Sequence, residues 1–458
     1  MSSIEIWLTR VENWVWGIPL LALLISAGVY LTVALRGIQF RLLGYALRIA
    51  FRRHDNQAAG DISQFQALMT ALAGMIGIGS ITGVATAIVL GGLGSLFWMW
   101  VASLVGMATK YAEAILAVKY RTVDEKGEMC GGPMYYLEKG LKSKGLAVFF
   151  AIVGAITALG TGNMVQANSI AGAVDGLFHV HPLWVGIGLA IVTGGTLFGG
   201  IRSIGKVSSW LVPAMAVLYL SGGMIVLALH WHAIPQAFYD IVSQAFTGRA
   251  AVGGVAGTSL MMAIQFGVSR SVFSSEAGLG SAPIAAAAAK TDVPARQALI
   301  SMSGVFITSI LVCSITGLAI AVSGLLGNTS DGLSLNGSAL ALNAFGQAFP
   351  GGSLILMISV ILFGYSTVLG WAYYGEKCME YLFGIRVVLW YRILYVAVLI
   401  PGAILSLQTV WSFANIMNGL MAFPNLLALF GLSSIVVAET KSFERLLRLE
   451  RNAEKELV

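Results

Sequence analysis

Residues 71–92 read ALAGMIGIGSITGVATAIVLGG, a run apolar enough to cross a bilayer that nevertheless carries Gly74, Gly77, Gly79 and Gly83, with Ser80 and Thr82 among them. A glycine in a helix interior costs about 1 kcal/mol relative to alanine. Small residues let membrane helices approach one another, but these four do not share one i, i+4 face. Local unwinding accounts for them better. Unwound backbone at membrane depth exposes amide and carbonyl groups, and together with the two hydroxyls these can hold an ion or a small polar solute. A second interrupted segment is expected at 258–288, TSLMMAIQFGVSRSVFSSEAGLGSAPIAAAA, where Gln265, Ser269, Arg270, Ser271, Ser274, Ser275 and Glu276 surround Gly267. Charged residues at that depth face protein or water, and irregular backbone there lines a cavity. The break is expected near Gln265–Gly267. Arg270 and Glu276 would lie towards the cytoplasmic half, as an inner gate or a static scaffold.

Other polar groups in apolar runs are fewer. Residues 363–377, FGYSTVLGWAYYGEK, place adjacent hydroxyls at Ser366 and Thr367 and cavity-walling aromatics at Tyr365 and Trp371. Such a pair usually bonds back to its own helix, yet a cation needs oxygens from more than one element. GTGNMVQANS contributes Asn163, Gln166 and Asn168, suited to interhelical hydrogen bonds. Lys110 and Glu113, at i and i+3, read as a structural ion pair with a snorkelling lysine.

Enzymatic constellations are missing. GIGSIT places Thr82 where a dinucleotide fingerprint needs its third glycine, and no strand precedes it. There is no H-E-x-x-H, and no histidine inside an apolar run to activate a serine. His179 and His181, like His230 and His232, fall in connections without a nearby third ligand and suit polar caps better than a metal.

The elements that must position these groups follow from composition. Of 458 residues 57% are hydrophobic and 10% charged, against about 25% charged in a soluble protein. An all-α polytopic membrane protein is expected, with eleven transmembrane helices near 17–35, 63–90, 92–118, 147–174, 183–201, 208–229, 258–289, 297–326, 353–376, 388–408 and 412–436. Residues 1–16 would form an interfacial amphipathic helix carrying Ile4, Trp7, Leu8, Val11, Trp14 and Val15, rather than a cleaved signal. Residues 17–62 would be an extra first span with its connection. The interrupted helices then open two five-helix halves, 63–229 and 258–436, before a cytoplasmic tail at 437–458. An odd number of spans inverts the second half, as an inverted repeat requires. Of the 27 Lys and Arg, 23 fall on the side of the odd-numbered connections, which places the N-terminus outside and the C-terminus in the cytoplasm of a cell membrane. The net charge of +6 is thus topological and implies no nucleic-acid partner. The outer connection 327–352 holds two sequons, at Asn328 and Asn336, which turn chemistry explains more simply. Cys130, Cys313 and Cys378 form no spaced framework.

The stretches FQALMTALAGMIGIGSITGVATAI, GGPMYYLEKGL, GNMVQANS, SEAGLGSAPIAAAAAKTD and YSTVLGWAYYGEK together resemble the alanine or glycine:cation symporter family over nearly the whole chain. The resemblance implies a leucine-transporter-like 5+5 inverted repeat and inward movement of a small neutral amino acid with a sodium ion. It departs from the family where Ser80 and Ser275 replace asparagines and Ile78 stands for a common threonine. Substrate would bind at Ile78, Gly79, Ser80 and Thr82, whose amides suit a carboxylate. Gln166 and the Gln265–Gly267 carbonyls would take the ammonium, with Phe266 and Trp371 limiting side-chain size. Sodium would be held by carbonyls of Ala73, Ile76 and Phe363 and the hydroxyls of Ser366 and Thr367. The alternatives are coupling to protons or another cation with a solute such as glutamine, or a channel.

Overall fold

Apolar runs poor in breakers fold as helices, and here they end where glycine, proline or a capping side chain interrupts them. The computed structural model describes residues 3–51, 59–247, 260–327, 329–330 and 333–456. The chain opens with α1 (Ser3–Val15), α2 (Ile18–Ala34), α3 (Ile38–Phe51), α4 (Gln64–Met75), α5 (Thr82–Gly91) and α6 (Gly94–Lys119). A hairpin of β1 (Thr122–Val123) and β2 (Met129–Cys130) leads to α7 (Pro133–Tyr135), α8 (Lys144–Leu159), α9 (Val165–Phe178), α10 (Pro182–Leu197), α11 (Gly200–Leu229) and α12 (Ile234–Thr247). Then come α13 (Leu260–Ser275), α14 (Ala282–Ala287), α15 (Pro294–Val305), α16 (Cys313–Ser323), α17 (Gly337–Ala348), α18 (Gly352–Phe383), α19 (Val388–Ile404), α20 (Leu407–Gly431) and α21 (Ser433–Glu456).

Among the described residues seven helical stretches are long and apolar enough to cross a membrane, or eight if α1 and α2, bent by 41°, form one span. The remaining expected runs correspond to α10, which is short, and to the pairs α4/α5 and α13/α14, which are interrupted. The sequence boundary between the fifth and sixth runs needs correction: α11 begins at Gly200, so Arg202 and Lys206 are helical rather than in a connection. His181 caps α10, its Nδ1 accepting from the Leu183 amide. Asn336 likewise accepts from the Gly337 amide at the start of α17. Asn328 lies outside the described residues.

The first interruption is where the glycines place it. Ser63 and Gln66 form a reciprocal capping box that starts α4, which ends at Met75; Gly77 is extended, and a 3₁₀ turn over Ile78–Ser80 leads into α5. The second is not near Gln265–Gly267, where α13 runs unbroken. It falls ten residues later, at Glu276–Ser281, because Glu276, Gly278 and Gly280 take positive φ (53°, 92° and 79°). Polar side chains at 265–271 belong to an intact helix and point in different directions from it, towards α6 and towards a cavity, so they do not mark its end.

Two buried residues of α6 brace that second break, so Lys110 does not snorkel to an interface. It is 1% exposed and its Nζ donates to the Glu276 carbonyl at 3.0 Å. Glu113 Oε1 accepts from the amides of Gly278 (3.0 Å) and Gly280 (3.1 Å) and from Asn425 Nδ2 (2.6 Å). The two side chains are 3.9 Å apart. Freed amides that lipid cannot solvate are thereby satisfied by one carboxylate.

Backbone pairing also ties the start of α4 to the end of α14. The Asp61 amide donates to Ala288 O and the Lys290 amide to Ile62 O, both at 2.9 Å. Arg121, just after α6, donates to Ala287 O, Ala289 O and Ala59 O. Lys377 of α18 holds the neighbouring hairpin through Asp124 (3.3 Å) and also pairs with Glu380 of its own helix (2.9 Å). Burial alone would raise the Asp124 carboxyl, but the amides of Glu128 and Lys126 and the Lys377 charge hold it below the usual carboxylate range.

Replacing Glu113 with leucine leaves two buried amides unpartnered and the buried Lys110 charge without its carboxylate, a loss of roughly 2–5 kcal/mol. Glu113→Leu should melt well below wild type in detergent, with Glu113→Gln, which keeps an acceptor oxygen, in between. Equal melting temperatures for all three would refute the bracing role.

Candidate functional site

The unwound stretch after α4 is enclosed by α9, α13, α16 and α18. Gln166 of α9 reaches across, its Oε1 accepting from the Ile78 amide at 3.2 Å, while its Nε2 donates to Thr161 O at 2.9 Å. Gln166 therefore lies against the first break and not against the second. The amides of Ser80 and Ile81 turn back to Gly77 O and Ile78 O, both at 3.0 Å. Ser80 Oγ lies 2.8 Å from Ser274 Oγ at the end of α13, and Ser80 O accepts from Thr316 of α16 at 2.7 Å. Thr82 Oγ1 is buried with no partner.

On the α18 side the hydroxyl pair does both things the sequence allows. Ser366 and Thr367 each donate to Phe363 O at 2.9 Å, one turn back. They also reach Ala73 O of α4, at 3.3 and 2.9 Å. Two carbonyls and two hydroxyls from two elements thus converge beside the unwound stretch. Ile76 caps α4, its amide donating to Leu72 O. A hard cation takes such neutral oxygens as ligands, so this set fits sodium in kind. Close approach depends on Gly77: a Cβ there would lie 2.4 Å from Thr367 Oγ1 and 3.3 Å from Gln166 Oε1.

Trp371 follows Thr367 by one turn, buried against Tyr374 (ring centroids 5.5 Å apart). Gly162 makes room for it, since a Cβ there would sit 2.0 Å from Trp371 Cβ. Gln265 and Phe266 are elsewhere, lining a separate vestibule beyond α5, and Gly267 packs on Ser95 and Trp98 of α6. Arg270 and Glu276 do not form a pair either. Arg270 lines the vestibule together with Asn336 of the 327–352 connection, while Glu276 accepts from Ser281 at 2.6 Å. Sequence reasoning passed over Phe273, which lies within 2.6 Å of a Gly79 Cβ and stacks on Trp411 at 4.9 Å. It also passed over Thr316 and Tyr219, whose hydroxyls are bonded to each other. Phe273 lies three residues before the Glu-Ala-Gly-Leu-Gly break, the one signal that points to it.

Interrupted helices meeting around neutral oxygens belong here to a leucine-transporter-like fold. Two solved structures share that fold: MhsT in complex with L-phenylalanine (TM-score 0.57, 13% identity, 83% of this chain and 98% of that one), and a Na+-coupled sialic acid symporter (TM-score 0.52, 12% identity, 92% and 87%). The chain belongs to the sodium:alanine symporter family, whose profile spans residues 1–456. It is 53% identical to the sodium/alanine symporter AgcS of Methanococcus maripaludis over 96% of this chain and 97% of that one. It is 35% identical to the probable sodium/glutamine symporter GlnT of Bacillus subtilis, over 94% and 88%.

Gly77→Ala would push Thr367 and Gln166 away from the break, an overpacking cost of about 1–3 kcal/mol. Sodium-dependent uptake should fall by about tenfold or more. Gly172→Ala, where a Cβ meets nothing within 4 Å, should transport like wild type. Equal uptake by both variants would show that the close approach does not matter.

Proposed function

We propose that the protein imports a small neutral amino acid, alanine or glycine, together with sodium by alternating access. The observation that carries this reading is the convergence of Ala73 O, Phe363 O, Ser366 Oγ and Thr367 Oγ1 beside the unwound Gly77–Ser80 stretch. Sodium binds these oxygens, with the Ile76 carbonyl freed at the end of α4 as a further ligand. The ion fastens α4 of the first five-span half, 63–229, to α18 of the second, 258–436, within an eleven-span chain.

An amino-acid zwitterion needs both signs of potential in one place. The positive end of α5 at Thr82 and the negative end of α13 at Ser275 meet through the Ser80–Ser274 hydrogen bond. The carboxylate is received by the Ile78–Thr82 turn, with Gln166 holding its backbone, and the ammonium by the last carbonyls of α13. Trp371 and Phe273 limit the volume left for a side chain. Sodium and substrate shift the equilibrium only through their differential affinity for the outward state and the state that converts. Conversion inward then requires the α4–α14 backbone tie and its Arg121 clamp to part.

Uptake of labelled alanine, glycine and glutamine into proteoliposomes tests the reading. Alanine or glycine should accumulate saturably with a sodium gradient and not when potassium replaces sodium; sodium-independent or non-saturating flux would contradict it. Thr367→Ala removes one of the cation's oxygens and should raise the sodium concentration for half-maximal uptake by about tenfold, the loss of one charge-assisted contact. Alanine affinity at saturating sodium should change less. Unaltered sodium dependence in both Ser366→Ala and Thr367→Ala would remove the ion from this place.

Orientation is tested separately. The native thiols are all buried, and burial pushes the Cys130 thiol up to about 12, so background labelling should be low. A cysteine placed at Asn336 should react with an impermeant maleimide from outside, and one placed at Glu125 should not. The reverse pattern would invert the proposed topology.

A further inference from the structure

Two hollows on the outside of the helix bundle run into one another. The first is a slot of about 330 Å³ between α10 and α19, lined by Ala190, Gly194, Leu197, Val396 and Ile400 and almost wholly apolar. Along α19 it extends from Leu389 to Ile400, a rise of about 16 Å. That is half of a hydrocarbon core about 30 Å thick, the depth of one leaflet. The second is a recess of about 360 Å³ where four elements end or begin, with Glu128 from the hairpin, Gly199 from the α10–α11 turn, Glu380 from α18 and Leu389 from α19. Phe198, Leu389 and Arg392 line both, so the slot opens into the recess. Trp390, 70% exposed next to that junction, is a residue type that gathers at the headgroup level.

The recess holds three cations, Lys126, Lys377 and Arg392, and three carboxylates, Glu128, Glu376 and Glu380. Most of this charge is already paired. Lys377 is used by Asp124 and Glu380, and Arg392 gives Nε and Nη2 to the two Glu376 oxygens, both at 2.8 Å. Arg392 Nη1 and Lys126 Nζ remain as donors. A third is the Tyr373 hydroxyl, which lines the recess, is 2% exposed and has no partner. A buried hydroxyl left in that state is costly, and a ligand that bonds it removes the cost. Three unspent donors suit a phosphate. Glu128, 3.8 Å from Lys377 and 33% exposed, offers a carboxylate to a cation. A head with negative charge alone would face three carboxylates, whereas one carrying a phosphodiester and a primary ammonium answers both signs. We propose that slot and recess form one site for a zwitterionic aminophospholipid. One acyl chain lies along α10 and α19, the phosphate meets Arg392 Nη1, Lys126 and the Tyr373 hydroxyl, and the ammonium meets Glu128. The bound lipid joins α10 and α19 to α18 at the membrane boundary. The site depends on the chain spanning a bilayer and not on which solute is moved.

The test is native mass spectrometry of the purified, delipidated full-length protein, titrated with phosphatidylethanolamine, phosphatidylglycerol or phosphatidylcholine of identical acyl chains. Wild type should retain one phosphatidylethanolamine at about tenfold lower concentration than either other lipid. Phosphatidylglycerol lacks the ammonium, and phosphatidylcholine lacks its N–H donors. Tyr373→Phe deletes only the unpartnered hydroxyl, so without lipid it should melt no lower than wild type. Its affinity for phosphatidylethanolamine should nevertheless fall about tenfold, and the rise in melting temperature on adding that lipid should shrink. Glu128→Gln should erase the preference over phosphatidylglycerol. Gly194→Leu, where an added Cβ meets only Val396 Cγ1 at 3.9 Å, fills the slot and should abolish tight retention of any of the three. Equal retention of the three lipids by wild type, or tighter phosphatidylglycerol, overturns the aminophospholipid head. Full phosphatidylethanolamine affinity in Gly194→Leu overturns the slot, and full affinity in Tyr373→Phe overturns the recess.

Discussion

A helix interrupted at membrane depth exposes amides and carbonyls that hydrocarbon cannot solvate, so every such group needs a partner inside the protein. The rest of this structure follows from meeting that requirement twice. At the second break the partners are fixed: Glu113 takes two amides, and Lys110 takes the Glu276 carbonyl. At the first break they are groups that can also serve a ligand, namely Gln166 on the Ile78 amide and the Ser366–Thr367 hydroxyls on Ala73 O. One break is thereby a rigid brace, and the other is the one proposed to exchange its partners for a ligand. On the proposed reading, a cation arriving at Ala73 O would replace weak hydroxyl donors with stronger electrostatic bonds and leave the hydroxyl oxygens as ligands.

This division also explains where the large side chains sit. Gly77 and Gly162 remove bulk where Thr367 and Trp371 of α18 approach the first half. Gly278 and Gly280 supply the positive φ that lets the second break turn back to Glu113. Phe273 and Trp411 then separate the unwound stretch from the vestibule, with Arg270 over Trp411. Backbone pairing of Ile62 with Ala289, clamped by Arg121, closes the opposite end.

How much of this was legible in the sequence depended on whether the signal was local. The first break was, because four glycines out of phase with any helical face leave few alternatives. The hydroxyl pair on α18 was legible as chemistry but not as geometry. Polar side chains as a marker put the second break about ten residues too early. Those residues face other things: Ser271 is bonded to Ser103 of α6, and Gln265 and Arg270 face the vestibule. The true marker was conformational, the Glu-Ala-Gly-Leu-Gly run, and the intended partners of Lys110 and Glu113 could not be read because they lie more than 160 residues away. The same holds for Gln166 with Ile78, 88 residues apart, and for Glu12 with Asn415, 403 apart. Such pairs leave no periodicity in the chain.

The central claim is that a cation joins the unwound end of α4 to α18. The most direct measurement is an experimental structure of the protein in sodium, at a resolution that resolves a bound ion and its ligands. The account predicts density within about 2.2–2.6 Å of Ala73 O, Phe363 O, Ser366 Oγ and Thr367 Oγ1, distances short enough to mark a cation rather than water. An ion bound at full occupancy elsewhere, with the two hydroxyls still donating to Ala73 O, would contradict it.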